Sequence, residues 1–277
     1  MSNSIYHFFK DILEKKDRFQ KTAKLEDFSY SEELLSCENK GKFPDLAIRI
    51  NVDGTLFTGG ELIELKDATS HTISSFNSTI PTGRKKILKV VGEGDSKIRN
   101  QMENAGDCVD SLPEREVYYL VRGRKNSGQK IALVHGSFFE TVKVDQLISQ
   151  SFSQVLEDSA RDKENEISQE ERERISSLFS KQESFSKVRT VEKASVKLRF
   201  RIMTEVQKEG NLLDSKQYPQ ILDDTLNFVV PLHKNSEIQN INQKAKSVFN
   251  PEQLSSMERF KIKHHFNGYF FAFQLGL

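Results

Sequence analysis

The apolar positions change period along the chain. Ile5, Phe8, Phe9, Ile12 and Leu13 recur at helical spacing, and residues 1–24 read as an amphipathic helix. Residues 30–37 read as a further short helical turn. The period then becomes two. In "DLAIRIN", Leu46, Ile48 and Ile50 alternate with Ala47, Arg49 and Asn51. "VDGT" supplies a hairpin turn at Asp53-Gly54, and "LFTGGELIELKD" is the returning strand. Gly59-Gly60 within it signals a bulge or a close backbone approach. Residues 71–91 open polar and turn basic, and 95–105 read as a helix stopped at Gly106. "REVYYLVRG" and "KIALVHGSFFE" are strands joined by the polar turn "RKNSGQ". A helix over 144–160 follows. The charge-dense run 161–175 reads as an exposed linker entering another helix. In the last third "SVKLRFRIM", "TLNFVVPLH" and "GYFFAFQLGL" are strand-like. No internal repeat is present.

Composition narrows the class. The 277 residues hold 41 Lys and Arg against 40 Asp and Glu, for a net charge of +1. A globally basic nucleic-acid binder is excluded, but a local basic patch is not. No apolar run approaches the roughly 18 residues of a membrane span, and the N-terminus lacks the features of a signal peptide. A cytoplasmic protein without a membrane partner is expected. Cys37 and Cys108 fit a reducing compartment and cannot by themselves make a four-ligand zinc site. The six histidines form no HExxH pattern, and neither a GxSxG elbow nor a GxxxxGK[ST] loop occurs.

The candidate chemistry lies in "FPDLAIRINVDGTLFTGGELIELKD", residues 43–67. Strand side chains alternate, so Glu64 and Lys66 share a face with Leu62, and Leu65 points away. Folding at Asp53-Gly54 brings Asp45 towards that pair. A strict count sets Glu64 opposite residue 43, and a bulge at Gly59-Gly60 shifts this by one or two. Two close carboxylates repel and push one pKa up, which a hard divalent cation relieves. Magnesium takes one or two carboxylates, keeps waters and completes its shell with substrate phosphate. The lysine can neutralise charge on a scissile phosphate or orient the attacking water. The main-chain carbonyl of Leu65 is a further candidate ligand. The plainer alternative is an edge hairpin with a solvent-facing Glu64–Lys66 pair.

Pro44-Asp45, a spacer and Glu64-Leu65-Lys66 resemble the PD-(D/E)xK nucleases. The resemblance implies an α/β fold with a restriction-endonuclease-like mixed central sheet flanked by helices, with the site at one end of a central hairpin. An additional β-rich C-terminal part is expected here. It implies Asp45, Glu64 and Lys66 as catalytic residues, with Asp45 and Glu64 holding Mg2+, for which Mn2+ substitutes. A further acid, Glu33 or Glu32, is implied on a preceding helix. Within the superfamily the chain is most similar to type II restriction endonucleases, faintly the HindVP-like group. That implies a homodimer cutting double-stranded DNA, with a cognate DNA methyltransferase as functional partner. Residues 1–160 are expected to form the catalytic core, and 161–277 a helical linker and β-rich region contributing to DNA binding or dimerisation.

Asn77, Ser78, Thr79, Thr82, Arg84, Lys85 and Lys86 make a candidate DNA-contact loop, since hydroxyls, amides and cations suit phosphates and base edges. Lys197, Arg199 and Arg201 share one strand face. Residues 181–209 hold eight basic against four acidic residues, a local balance of +4. "RFKIKHH", 259–265, is a third basic patch. A solvated loop or outer sheet face is the alternative for each. Two rival functions remain: a structure-directed repair or junction nuclease of the same superfamily, and a non-catalytic DNA-binding module.

Overall fold

The computed structural model describes residues 4–39, 41–50, 59–73, 75–77, 80–92, 96–140, 144–161, 168–180 and 203–277. The expected turn at Asp53-Gly54, together with Ser78, Thr79, Lys197, Arg199 and Arg201, lies outside them. Two helices, α1 (Ser4–Glu14) and α2 (Lys16–Lys21), open the chain. The strands β1 (Leu35–Glu38), β2 (Leu46–Ile48), β3 (Leu62–Ala68), β4 (Ser75–Asn77) and β5 (Arg84–Lys86) follow, then α3 (Ile87–Val91) and α4 (Lys97–Asn104). A long hairpin, β6 (Glu114–Lys125) and β7 (Gly128–His135), precedes α5 (Val144–Arg161) and α6 (Gln169–Ser180). The last elements are β8 (Met203–Glu205), β9 (Thr225–Leu232), α7 (Glu237–Val248), α8 (Pro251–Ser256), β10 (Glu258–His264) and β11 (Gly268–Gly276).

The chain divides into two compact units. One holds residues 1–74, 82–139 and 206–277; the other holds 75–81 and 140–205. This division does not coincide with a boundary at 160/161. The first unit contains a mixed sheet of order β1-β2-β3-β6-β7-β9-β11-β10, with β5 added on β6. β3 runs parallel to β6 and β7 parallel to β9; the other pairs are antiparallel. Helices flank it, as the α/β reading expects, and β9 to β11 from the last third are part of the same sheet. In the second unit β4 pairs antiparallel with β8, and α5 packs along α6. No described helix is long and apolar enough to cross a membrane.

One sheet face carries the larger core. Ile5, Phe8, Phe9 and Ile12 of α1 pack with Ile241, Ala245 and Val248 of α7 against Ile63, Leu65, Leu120, Phe228 and Phe273. β6 is buried on both faces from Val117 to Val121, and its β-branched and aromatic residues suit a central position beside a parallel neighbour. The opposite face meets α4 through Gln101, which accepts from the Cys37 thiol, and meets Phe139 at Tyr119. α4 starts where the Ser96 side chain accepts from Arg99 N–H and ends before Gly106, which has φ of +78°. Of residues 30–37, expected to form a short helical turn, 32–34 form a turn and the rest of the described segment runs into β1 at 35–38. The backbone of β2 supplies partners there, and a segment as short as Leu35-Ser36-Cys37-Glu38 has too little helical preference to resist.

The close approach at Gly59-Gly60 is present. Gly60 N–H donates to the Ile48 carbonyl at 2.9 Å, and a Cβ on Gly59 would lie 1.7 Å from the Arg49 carbonyl oxygen. Gly59→Ala must therefore displace β2 from β3, and urea unfolding is expected to show a loss of about 1–3 kcal/mol.

Candidate active site

β2 and β3 pair with Leu46 opposite Ile63 and Ala47 opposite Leu62. Extending that ladder by one step sets Asp45 directly across from Glu64, two positions from the strict hairpin count. Asp45, Ala47, Leu62, Glu64 and Lys66 then share the face opposite the α1 core. The carboxylates arrive together because β2 stops at its first residue. Asp45 Oδ2 takes the place of a ladder carbonyl and accepts from the Leu65 N–H at 2.8 Å. In an extended strand the N–H and C=O of one residue point to the same side, so the Leu65 carbonyl faces the Asp45 edge too.

Glu64 is 6% exposed, and Lys66 Nζ stands 2.9 Å from its Oε1. Its Oε2 is buried without a hydrogen-bond partner. Burial, then the neighbouring charge of Glu64, push the Asp45 carboxyl up to about 7, against the opposing pull of the Leu65 N–H and the Lys66 ammonium. The start of β2 and the middle of β3 therefore bring together a buried and a half-buried carboxylate and one half-buried ammonium, and the two carboxyl groups can share a hydrogen bond only while one of them is protonated. The edge-hairpin alternative requires a solvent-facing pair, and Glu64 is not solvent-facing.

These groups fit a divalent cation. Its positive charge would offset the repulsion that raises Asp45 and give the orphaned Glu64 oxygen a partner. Asp45, Glu64 and the Leu65 carbonyl are the groups that would hold it. Among the described residues no cluster of three or more His, Cys, Asp or Glu side chains stands ready to bind a metal, so the side-chain donors are the two carboxylates.

Glu33 does not join them. It lies in the turn at 32–34, before the start of β1 and away from Asp45, exposed, its carbonyl accepting from Arg49 Nη2 at 2.7 Å. Asp45 sits at the other end, where Asn39 N–H donates to the Asp45 carbonyl. Glu32 lies one residue further out.

The basic loop divides. Ser75 to Asn77 form β4 in the second unit, while Thr82, Arg84, Lys85 and Lys86 belong to the first. Thr82 Oγ1 donates to the Arg84 carbonyl, Arg84 lies 3.4 Å from Glu116, and Lys86 is exposed. Lys85 pairs with Arg115 on β6, two residues before Val117 and four before Tyr119, which faces Glu64. Alternation puts Lys85 on the face of Glu64 and Lys66. Its Nζ lies 5.3 Å from the Phe43 ring centroid, two residues ahead of Asp45. Tyr119, and the approach of Lys85 to Phe43, are not legible in the sequence, because the pairings of β6 with β3 and β5 are long-range. Comparison of the chain with protein-family models, with curated proteins and with solved structures finds no match.

Proposed function

We propose that the protein is a type II site-specific deoxyribonuclease of a restriction–modification system, cutting double-stranded DNA by magnesium-dependent phosphodiester hydrolysis. The reading rests on one observation: Asp45 opposes the buried Glu64, beside Lys66. Mg2+, or Mn2+ in its place, would supply the charge that activates water and stabilises the developing phosphorane. Asp45 and Glu64 orient the hydrolytic centre. The Lys66 ammonium, held at Glu64, stands ready to balance charge on the scissile phosphate. The protein acts as a homodimer on a near-palindromic site, and a cognate DNA methyltransferase protects the host sequence.

Sequencing the ends left on unmethylated linear duplex DNA tests this. One short flanking sequence at every end is the expected result. Cuts only at forks, junctions or mismatches would replace it with the structure-directed reading. On the same account Lys85 contacts a backbone phosphate next to the reacting one. Lys85→Met is expected to raise KM about tenfold with kcat little changed, and to reduce the salt slope of DNA binding by about one.

A further inference from the structure

The edge strand β10 shows a second pattern, far from Asp45. Arg259, Lys261 and Lys263 are exposed on one face, His265 continues the stripe, and Ile262 and His264 are buried on the other. Residues 233–265 hold six Lys and Arg (234, 244, 246, 259, 261, 263) against three acids (237, 252, 258), a balance of +3 in a chain of net +1. Arg259 donates to the Leu254 carbonyl and Lys261 to Asn235, which steadies the inner part of the stripe.

The stripe ends on a turn that is built to hold its shape. His264 Nδ1 accepts from the N–H groups of Phe266 at 3.1 Å and Asn267 at 3.0 Å. The Asn267 side chain donates to the Phe138 carbonyl at 3.0 Å. The His264 ring packs edge-on against Phe138 at 4.7 Å, and burial pushes its pKa down to about 4, so it stays neutral and Nδ1 stays an acceptor. This buried clamp holds Phe266 outward, 61% exposed, with the His265 ring 4.5 Å away. Tyr269, opposite Lys263 in the β10–β11 ladder, is 50% exposed.

Cations on an edge strand discourage the addition of another strand, and that alone would account for the lysines. It does not account for two aromatic rings held in solvent beside them, which weaken such a guard. A second copy's β10 laid antiparallel would set cation against cation. A polyanion with flat faces fits both parts: phosphates along the stripe and bases on the rings.

We propose that the β10–β11 hairpin is a contact surface for single-stranded nucleic acid, in which Lys263 and His265 meet phosphates and Phe266 and Tyr269 stack on bases. It is separate from the Asp45 site. Five strand spacings divide β10 from β3, about 24 Å, and the stripe lies on the opposite sheet face. The surface does not depend on the nuclease reading.

Fluorescence anisotropy of a labelled oligothymidine tests it, with the full chain and the variants Phe266→Ser and Lys263→Gln. Phe266→Ser is expected to weaken binding about tenfold or more, and Lys263→Gln to reduce the salt slope by about 0.7. Duplex cleavage by both variants stays at the wild-type rate. No oligothymidine binding, equal binding by all three proteins, or a variant-sensitive preference for anionic vesicles overturns the proposal. If the wild type cuts no DNA but its binding responds to both variants, the nuclease reading fails and this one stands. If the wild type cuts DNA and neither variant alters binding, the nuclease reading stands and this one fails.

Discussion

Glu64→Gln and Lys66→Met are each expected to lower DNA cleavage about a thousandfold, because each removes a charge that the proposed hydrolysis uses in its transition state. Both proteins should still fold, since the site sits at a strand end and contributes little to the α1 core. Asp45→Asn has the same expected effect on cleavage and raises stability at neutral pH and above. The Asp45 carboxyl, near 3.9 when unfolded, is pushed up to about 7 in the folded chain by burial and by Glu64. The folded state therefore binds more protons between those values, and stability falls as pH rises from about 4 through 7 and then levels. Asp45→Asn removes that penalty. Its melting temperature should exceed the wild type's at pH 8, and the two should converge near pH 4. Mg2+ should raise the wild-type melting temperature at pH 8 and leave the variant's unchanged. A wild type as stable at pH 8 as at pH 5, without metal, would contradict the account of the carboxylate pair.

Arg122→Met is expected to cost about 3–5 kcal/mol in urea unfolding, or roughly 10 °C in melting temperature. Arg122 is fully buried and sits opposite Asp67 on β3, one residue beyond Lys66. Its Nε donates to Asp67 Oδ1 at 2.9 Å and its Nη2 to Oδ2 at 2.5 Å. Its remaining N–H groups take up the carbonyls of Phe19, Thr22 and Ala23, and Asp67 also accepts from Leu25 N–H. One guanidinium thus ties the end of α2 and the segment after it to the end of β3. Losing it takes the donor from the Thr22 and Ala23 carbonyls and leaves the Asp67 carboxylate with the Leu25 N–H and, 3.5 Å away, the Arg124 guanidinium. Adding Asp67→Ala should restore part of the loss, because the two changes share one network. Simple additivity in the double variant would rule that network out.

The local parts of this structure are legible where side-chain period and nearest-neighbour pairing decide the outcome. Helix α1, the β6–β7 hairpin and the strands β9 and β11 follow from apolar spacing and turn residues. The Asp45–Glu64–Lys66 group follows from one hairpin, with the two-position shift that Gly59-Gly60 allows. What escapes depends on partners distant in sequence. β1 escapes because Leu35-Ser36-Cys37-Glu38 is too short to show a period and takes its conformation from β2. Glu33 is expected at the site on the strength of a helical turn at 30–37, and the strand carries it to the other end. β10 shows only as the basic patch "RFKIKHH", because nothing local indicates that β11 pairs along its length. The Asp67–Arg122 knot joins residues 55 apart and leaves no trace in the "LKD" of β3.

The most direct measurement is a digest of unmethylated phage-sized DNA, with and without Mg2+, by the wild type and by Asp45→Asn side by side. Sharp bands that require Mg2+ and vanish in the variant are the predicted result. Identical cleavage by both proteins would remove Asp45 from the chemistry. No cleavage by the wild type across several DNAs would return "ELIELK" to an ordinary strand.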